Sequence, residues 1–202
     1  MAYRRTPGVQ ARLDAQRDAI LAAAADLLAE QGYGACSISG VAARAGVAAG
    51  TVHKQFGSKG RLVAELFRVV VGREVEAVRQ AAAHGSATER TRAVIETFAG
   101  RALKTPRRAY ALLAEPVDPP VEQLRLEFRV AFRDVIADAI RRGVADGQLP
   151  PQNATVVAAA LVGAIGEALV GPLATGAEDP DTVPTLIAFA HRAIGGSTRA
   201  HA

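Results

Sequence analysis

The side chains best able to do chemistry in this sequence are hydrogen-bond donors. Ser37, Ser39, Thr51, His53, Lys54 and Lys59 fall within one short stretch, and no carboxylate lies among them. Such a group suits the binding of an anion better than the making or breaking of bonds. Catalytic signatures are missing: His53, His84, His191 and His201 are scattered, Cys36 is the single cysteine, and no Cys/His cluster has zinc spacing. There is no G-x-S-x-G motif, and GSKG at 57–60 lacks the upstream glycine pattern of a P-loop. The expectation is a non-enzyme with no metal and no cofactor.

The densest part of this stretch reads GVAAGTVHKQFGSKGRL, residues 46–62. The segment between its glycines has room for about two turns of helix at 3.6 residues per turn. Val47, Val52 and Phe56 are too few to make it a core element, while Ala49, Gly50, Thr51, His53 and Lys54 are small or polar. A short helix with a narrow apolar side and a small, polar opposite side is built to be held by its own domain and to enter a groove.

The surrounding chain must position that helix. Its 202 residues, half of them hydrophobic, suffice for a sizeable core. Abundant alanine, scarce aromatics and almost no alternating β-branched runs predict an all-α fold. The net charge of +4 is concentrated near the N-terminus, where Arg4, Arg5, Arg12, Arg17, Arg44, Lys54 and Lys59 outnumber Asp14, Asp18, Asp26 and Glu30. That distribution favours an anionic partner such as DNA, although a solvated surface gives similar numbers. The polar start MAYRRTPGVQ has no apolar signal region, which predicts a cytoplasmic protein.

Periodicity and capping residues predict about nine helices with short connections. A mobile arm to about Gln10 precedes a first helix from Ala11, which Gly32 ends in a left-handed conformation. Ser37 caps a second helix that stops at Gly46, and the short helix quoted above is the third. Ser58 caps a long fourth helix running to about Ala83; Ser86 and Glu89 form a capping box; Pro106 separates two helices. Asp118 after EPVDPP caps a long helix reaching about Gly147. Asn153 caps an apolar helix disturbed at its end by Pro172, and a last helix covers about Thr182 to Ile194, with residues 197–202 disordered.

A helix, a short helix, an AGV turn and another short helix make a helix-turn-helix layout. The run SISGVAARAGVAAGTVHKQFGSKGRL, Ser37 to Leu62, resembles the DNA-binding signature of the TetR family, and the likeness covers about residues 12–66. It carries an alanine before the end of helix two, the AGV turn, a G-T pair, an aromatic and an S-K-x-x-L entry to helix four. The resemblance implies that Thr51, Lys59 and Ser37 bind phosphate, that Ala49, Gly50 and Lys54 face the groove, and that Ser39 contacts base or phosphate. Two departures stand out. His53 replaces the family's usual tyrosine, and Ala48 replaces a common capping residue. His53 either donates to a phosphate, in which case affinity falls as pH rises, or is a neutral surface histidine.

The family implies an N-terminal three-helix helix-turn-helix domain, placed at 11–57, and a C-terminal helical effector-binding and dimerisation domain, placed at 58–196. A homodimer reading a palindromic operator and released by a small-molecule effector follows from the same resemblance. The helix VVAAALVGAIGEALVG from Val156 is too apolar for one subunit to cover readily, so a second copy is the natural partner, with burial within one subunit as the alternative. It approaches the length of a membrane span, but Glu167 and its glycines favour a soluble helix and no membrane partner. Val156, Ala160, Gly163 and Ala164 are the interface candidates, paired with Leu186, Phe189 and Ala190 of the last helix. Phe98, Leu103, Tyr110, Leu113, Phe128 and Phe132 either line an effector pocket for a hydrophobic or aromatic compound or simply fill the core. Glu167 either meets a polar ligand group or pairs with Arg192 or Arg133. A helical homodimer that binds a small molecule or protein without DNA is the rival reading.

Overall fold

The structure is a computed structural model that describes residues 7–177 and 179–195. The described residues form nine α-helices and one 3-10 turn, with no strand. In chain order these are α1 (Pro7–Gln31), the turn Tyr33–Ala35, α2 (Ile38–Ala45), α3 (Ala49–Phe56), α4 (Lys59–Ala81) and α5 (Ala87–Lys104). There follow α6 (Pro106–Leu113), α7 (Pro119–Ala145), α8 (Ala154–Thr175) and α9 (Thr182–Ala193). Helix α1 begins earlier than its periodicity predicts, at Pro7, so residues 7–10 are helical and not part of an arm. The remainder of the predicted arm and the predicted disorder at 197–202 lie outside the described residues.

Most predicted caps form. The Ser37 hydroxyl accepts from the Gly40 amide at 3.0 Å, Asn153 accepts from Val156 at 3.2 Å, and Ser86 and Glu89 close a reciprocal capping box. Gly46 ends α2 at φ 64°, ψ 33°, the left-handed conformation in which a side chain would be strained. Two expectations fail. Gly32 has φ 80° but ψ −174°, so it opens the 3-10 turn rather than closing α1 with a left-handed cap. Asp118 sits at the N-cap of α7, yet its carboxylate makes no capping bond, because it accepts instead from the Tyr33 hydroxyl at 2.5 Å. Pro172 lies inside α8, which continues to Thr175.

Two apolar clusters hold these helices together. One gathers Ile20, Leu27 and Leu28 of α1, Val41 of α2, Val52 and Phe56 of α3, and Leu62, Leu66 and Phe67 of α4. It also takes in Ala111 of α6 and Val121 and Leu124 of α7. The other contains Val78 of α4, Ile95 of α5, Ile136 and Ile140 of α7, Leu161 and Leu169 of α8, and Ile194. Each fully buried Ile or Leu contributes about 1.5–3 kcal/mol. Helix α4 therefore has its first part in one cluster and its last turns in the other, so a tilt of α4 is felt by both.

Candidate nucleic-acid interface and effector cavity

Helix α3 is fastened on one side only. Val52 is fully buried and Phe56 nearly so, with the Arg17 guanidinium 4.4 Å from the centre of the Phe56 ring and 3.1 Å from the Glu65 carboxylate. Gln55 donates to Gln16 at 2.9 Å, which ties α3 to α1. On the opposite face Ala49, Gly50, His53 and Lys54 are exposed and share one side of the helix, as their i, i+1, i+4, i+5 spacing requires. A side chain added at Gly50 would meet nothing within 4 Å, so the backbone there is open to close approach. Thr51 is half-buried. Ala48 caps nothing, so the first amides of α3 have no side-chain partner at that position.

The supporting donors sit at neighbouring helix starts. Ser39 is exposed on the first turn of α2, 3.3 Å from the Ser37 hydroxyl, whose oxygen is engaged in capping. Lys59 opens α4, and its ammonium stands 3.9 Å from the centre of the Tyr33 ring. Arg44 pairs with Glu30 and so fixes α2 to α1. The phosphate and base candidates are thus brought to the exposed ends of α2, α3 and α4. Arg17, Tyr33 and Gln55, which hold that arrangement, were not predicted from the sequence; each lies in an otherwise unremarked helix or turn, and only its partner in space reveals its use.

A cavity of about 580 Å³ opens between α4, α5, α6, α7 and α8, a volume within the usual small-molecule range. Of the candidate effector contacts, Phe98, Leu113, Phe128, Phe132 and Glu167 are among its lining residues. Phe98 and Phe132 meet edge to face, their ring centres 5.0 Å apart. Leu103 and Tyr110 do not line it; they pack against the second apolar cluster, because α5 and α6 turn those positions away from the cavity. Glu167 forms no ion pair with Arg192 or Arg133, and Arg133 pairs with its neighbour Asp134. Arginines that the sequence reading passed over also reach the cavity: Arg101, which pairs with Glu74, and Arg108, Arg125 and Arg129.

Residues 20–66 match the model of the bacterial regulatory proteins of the tetR family. That stretch, running from α1 into α4, is a tetR-family domain. The chain's fold is that of solved relatives. A TetR transcription regulator from Haloarcula marismortui superposes with a TM-score of 0.76 at 19% identity, over 90% of this chain and 97% of that one. FadR from Bacillus subtilis, solved in complex with stearoyl-CoA, gives 0.75 at 20% identity over 89% and 98%. A TetR-family regulator from a Rhodococcus species gives 0.73 at 20% identity over 89% and 98%. None of the curated proteins matches the sequence significantly.

The tetR-like end and the cavity are joined by a polar contact. Tyr33, in the turn after α1, donates its hydroxyl to Asp118 at 2.5 Å, and the Asp118 amide donates back to the Tyr33 oxygen at 3.2 Å. The Tyr33 amide also donates to Glu115 at 2.9 Å. Burial first, and then Asp118, push the Tyr33 phenol above its ordinary pKa, so it stays protonated as a donor. Behind Asp118, the nearly buried Arg125 donates to the carbonyls of Leu112 at 2.9 Å, Ala111 at 3.3 Å and Glu115 at 2.8 Å, closing the C-terminal end of α6. Arg125 also lines the cavity.

The proposed subunit interface divides. Val156 is 62% exposed and Phe189 41% exposed, and Ala160 and Gly163 are exposed beside them, with Ala164 half-buried. Leu186 and Ala190 are buried in their own subunit, so they cannot meet a partner as expected; α9 lies chiefly on α5, where His191 Nε2 is 3.0 Å from the Thr88 carbonyl, rather than along α8. Helix α8 has a mean hydropathy of 2.0 over an 18-residue window that is only 28% buried. It is long and apolar enough to cross a membrane, by length and composition alone.

Proposed function

We propose that the chain acts in the cytoplasm as a homodimeric repressor of a palindromic operator, released when a hydrophobic or aromatic effector occupies the cavity. Residues 11–57 serve as the DNA-binding domain and residues 58–196 as the effector-binding and dimerisation domain. The observation that carries this reading is the one-sided fastening of α3, whose exposed face presents Ala49, Gly50, His53 and Lys54 with no acidic residue on the helix. The mostly apolar cavity supports the effector, as does the stearoyl-CoA held by the Bacillus subtilis protein of the same fold. Filling the cavity would displace α6 and α7 against α4 and change the separation of the two α3 helices relative to successive major grooves. Release follows only to the extent that the effector prefers the non-binding state.

The test is selection of genomic fragments by the purified protein at near-physiological salt. Enrichment of a palindrome is expected, with each neutralised phosphate contributing about −0.9 to the slope of log K against log salt. On the enriched site, Lys54→Ala should relax the preference at one base position while leaving the others intact. No enrichment over random fragments would leave a helical dimer without DNA binding as the better reading, and the uncapped start of α3 is the feature that favours it.

A further inference from the structure

We infer that the effector is an amphipathic anion, with an apolar body in the cavity and a carboxylate or phosphate head held by Arg108 of α6 and Arg129 of α7. The inference rests on the effector reading above and narrows it to one charge class. Five arginines reach the cavity against two carboxylates, Glu74 and Glu167. Three of the arginines are already engaged: Arg101 with Glu74, Arg133 with Asp134, and Arg125 with Glu122 and the α6 carbonyls. Arg108 and Arg129 have no ion-pair or hydrogen-bond partner among the described residues.

Arg108 is half-buried and Arg129 exposed at the edge of this apolar space, and neither guanidinium has an acidic partner among the described residues. Arg129 also disfavours the charge on Arg125, which burial already holds below its ordinary pKa. An anionic head group would supply the missing partner and accept the planar, forked hydrogen bonds for which arginine is suited. Further along the lining, Phe98, Phe132 and Ile136 offer nothing polar to a head group but would shelter a chain or ring. Of the two carboxylates, Glu74 is held by Arg101, and Glu167, exposed on α8, would favour a cation instead.

The experiment uses the full-length protein and four probes below their micellar concentrations: dodecanoate, dodecyl phosphate, dodecan-1-ol and dodecylammonium. Binding is measured by calorimetry, and release is measured on operator fragments obtained by selection. At least one of the two anions should bind tenfold or more tightly than the alcohol and the ammonium, and which anion wins identifies the head group. The double variant Arg108→Gln, Arg129→Gln should lose that preference and keep its affinity for dodecan-1-ol, while Arg108→Lys, Arg129→Lys should retain most of it. Equal binding of all four probes, preference for the ammonium, binding of none, or a preference that survives the glutamine variant would overturn the inference. Tight anion binding without release of the selected DNA would leave the anion site at Arg108 and Arg129 standing and overturn the effector reading of the proposed function.

Discussion

Single residues at the DNA-facing end carry two duties that sequence alone separates poorly. Lys59 is proposed as a phosphate contact, and its ammonium also lies over the Tyr33 ring. Lys59→Ala should therefore weaken binding to all DNA sequences alike and also cost about 0.5–1 kcal/mol of folding stability, a typical cation–aromatic contribution at a partly exposed site. Competition binding and chemical denaturation check the two halves. Cys36 gives a different kind of expectation. It is fully buried, and burial pushes its thiol up to about 11, with Lys59 opposing and Glu115 adding to the shift. The folded form thus keeps the thiol protonated through the pH range in which an unfolded thiol, near 9, ionises. Stability from this group is present below that range and declines as pH rises from about 9 towards 11. Alkylation by iodoacetamide at pH 8 should be slow in the native protein and rapid in denaturant; equal rates would show that the thiol is accessible.

The elements show where local chemistry is complete and where it is not. Ala48 leaves the start of α3 without a side-chain cap, so Ala48→Ser should stabilise the protein by about 1 kcal/mol without touching the apolar side of the helix. Thermal denaturation with and without DNA would reveal it. At the end of α6 the opposite holds: Arg125 satisfies three carbonyls, and Arg125→Met should cost about 2–4 kcal/mol because those acceptors are left buried without a donor. A loss below about 0.5 kcal/mol would mean that water replaces the guanidinium. The helices themselves were legible because caps such as Ser37, Ser86 and Asn153 act within one turn of chain. Asp118 misled for the reason that makes it useful. Its carboxylate had two possible partners, a local amide and a tyrosine 85 residues away, and only tertiary packing decides between them. Arg125 and the cavity arginines were illegible on the same ground, since an arginine in an amphipathic helix looks solvated until the neighbouring helix is known. Leu103 and Tyr110 were assigned to the cavity by residue type, but the rotation of α5 and α6 decides which face they occupy.

At the scale of the whole molecule, the largest unfilled demand is the outer face of α8. Val156 is large, apolar and exposed there, and the small residues Ala160 and Gly163 one and two turns on would let a second helix come close. Val156→Glu should convert a dimer to a monomer in sedimentation while leaving the helical content of each chain intact, because the side chain is 62% exposed within its own subunit. Loss of fold rather than of association would place Val156 in a subunit core instead. The lesson from Leu186 and Ala190 is that apolar periodicity marks a helix for burial without saying whether its own chain or another supplies the cover.

The junction at Tyr33 has an optical consequence. The sequence contains no tryptophan and three tyrosines, so ultraviolet emission comes from tyrosine alone. A phenol bonded to a carboxylate in its ground state loses much of its fluorescence, because the excited hydroxyl gives its proton to the neighbouring oxygen. Tyr33 is therefore dim for as long as Asp118 holds it, and it brightens if the two part. The protein carries its own label at the seam between its helix-turn-helix end and the cavity, and a titration followed at the tyrosine band would report the state of that seam without any added dye.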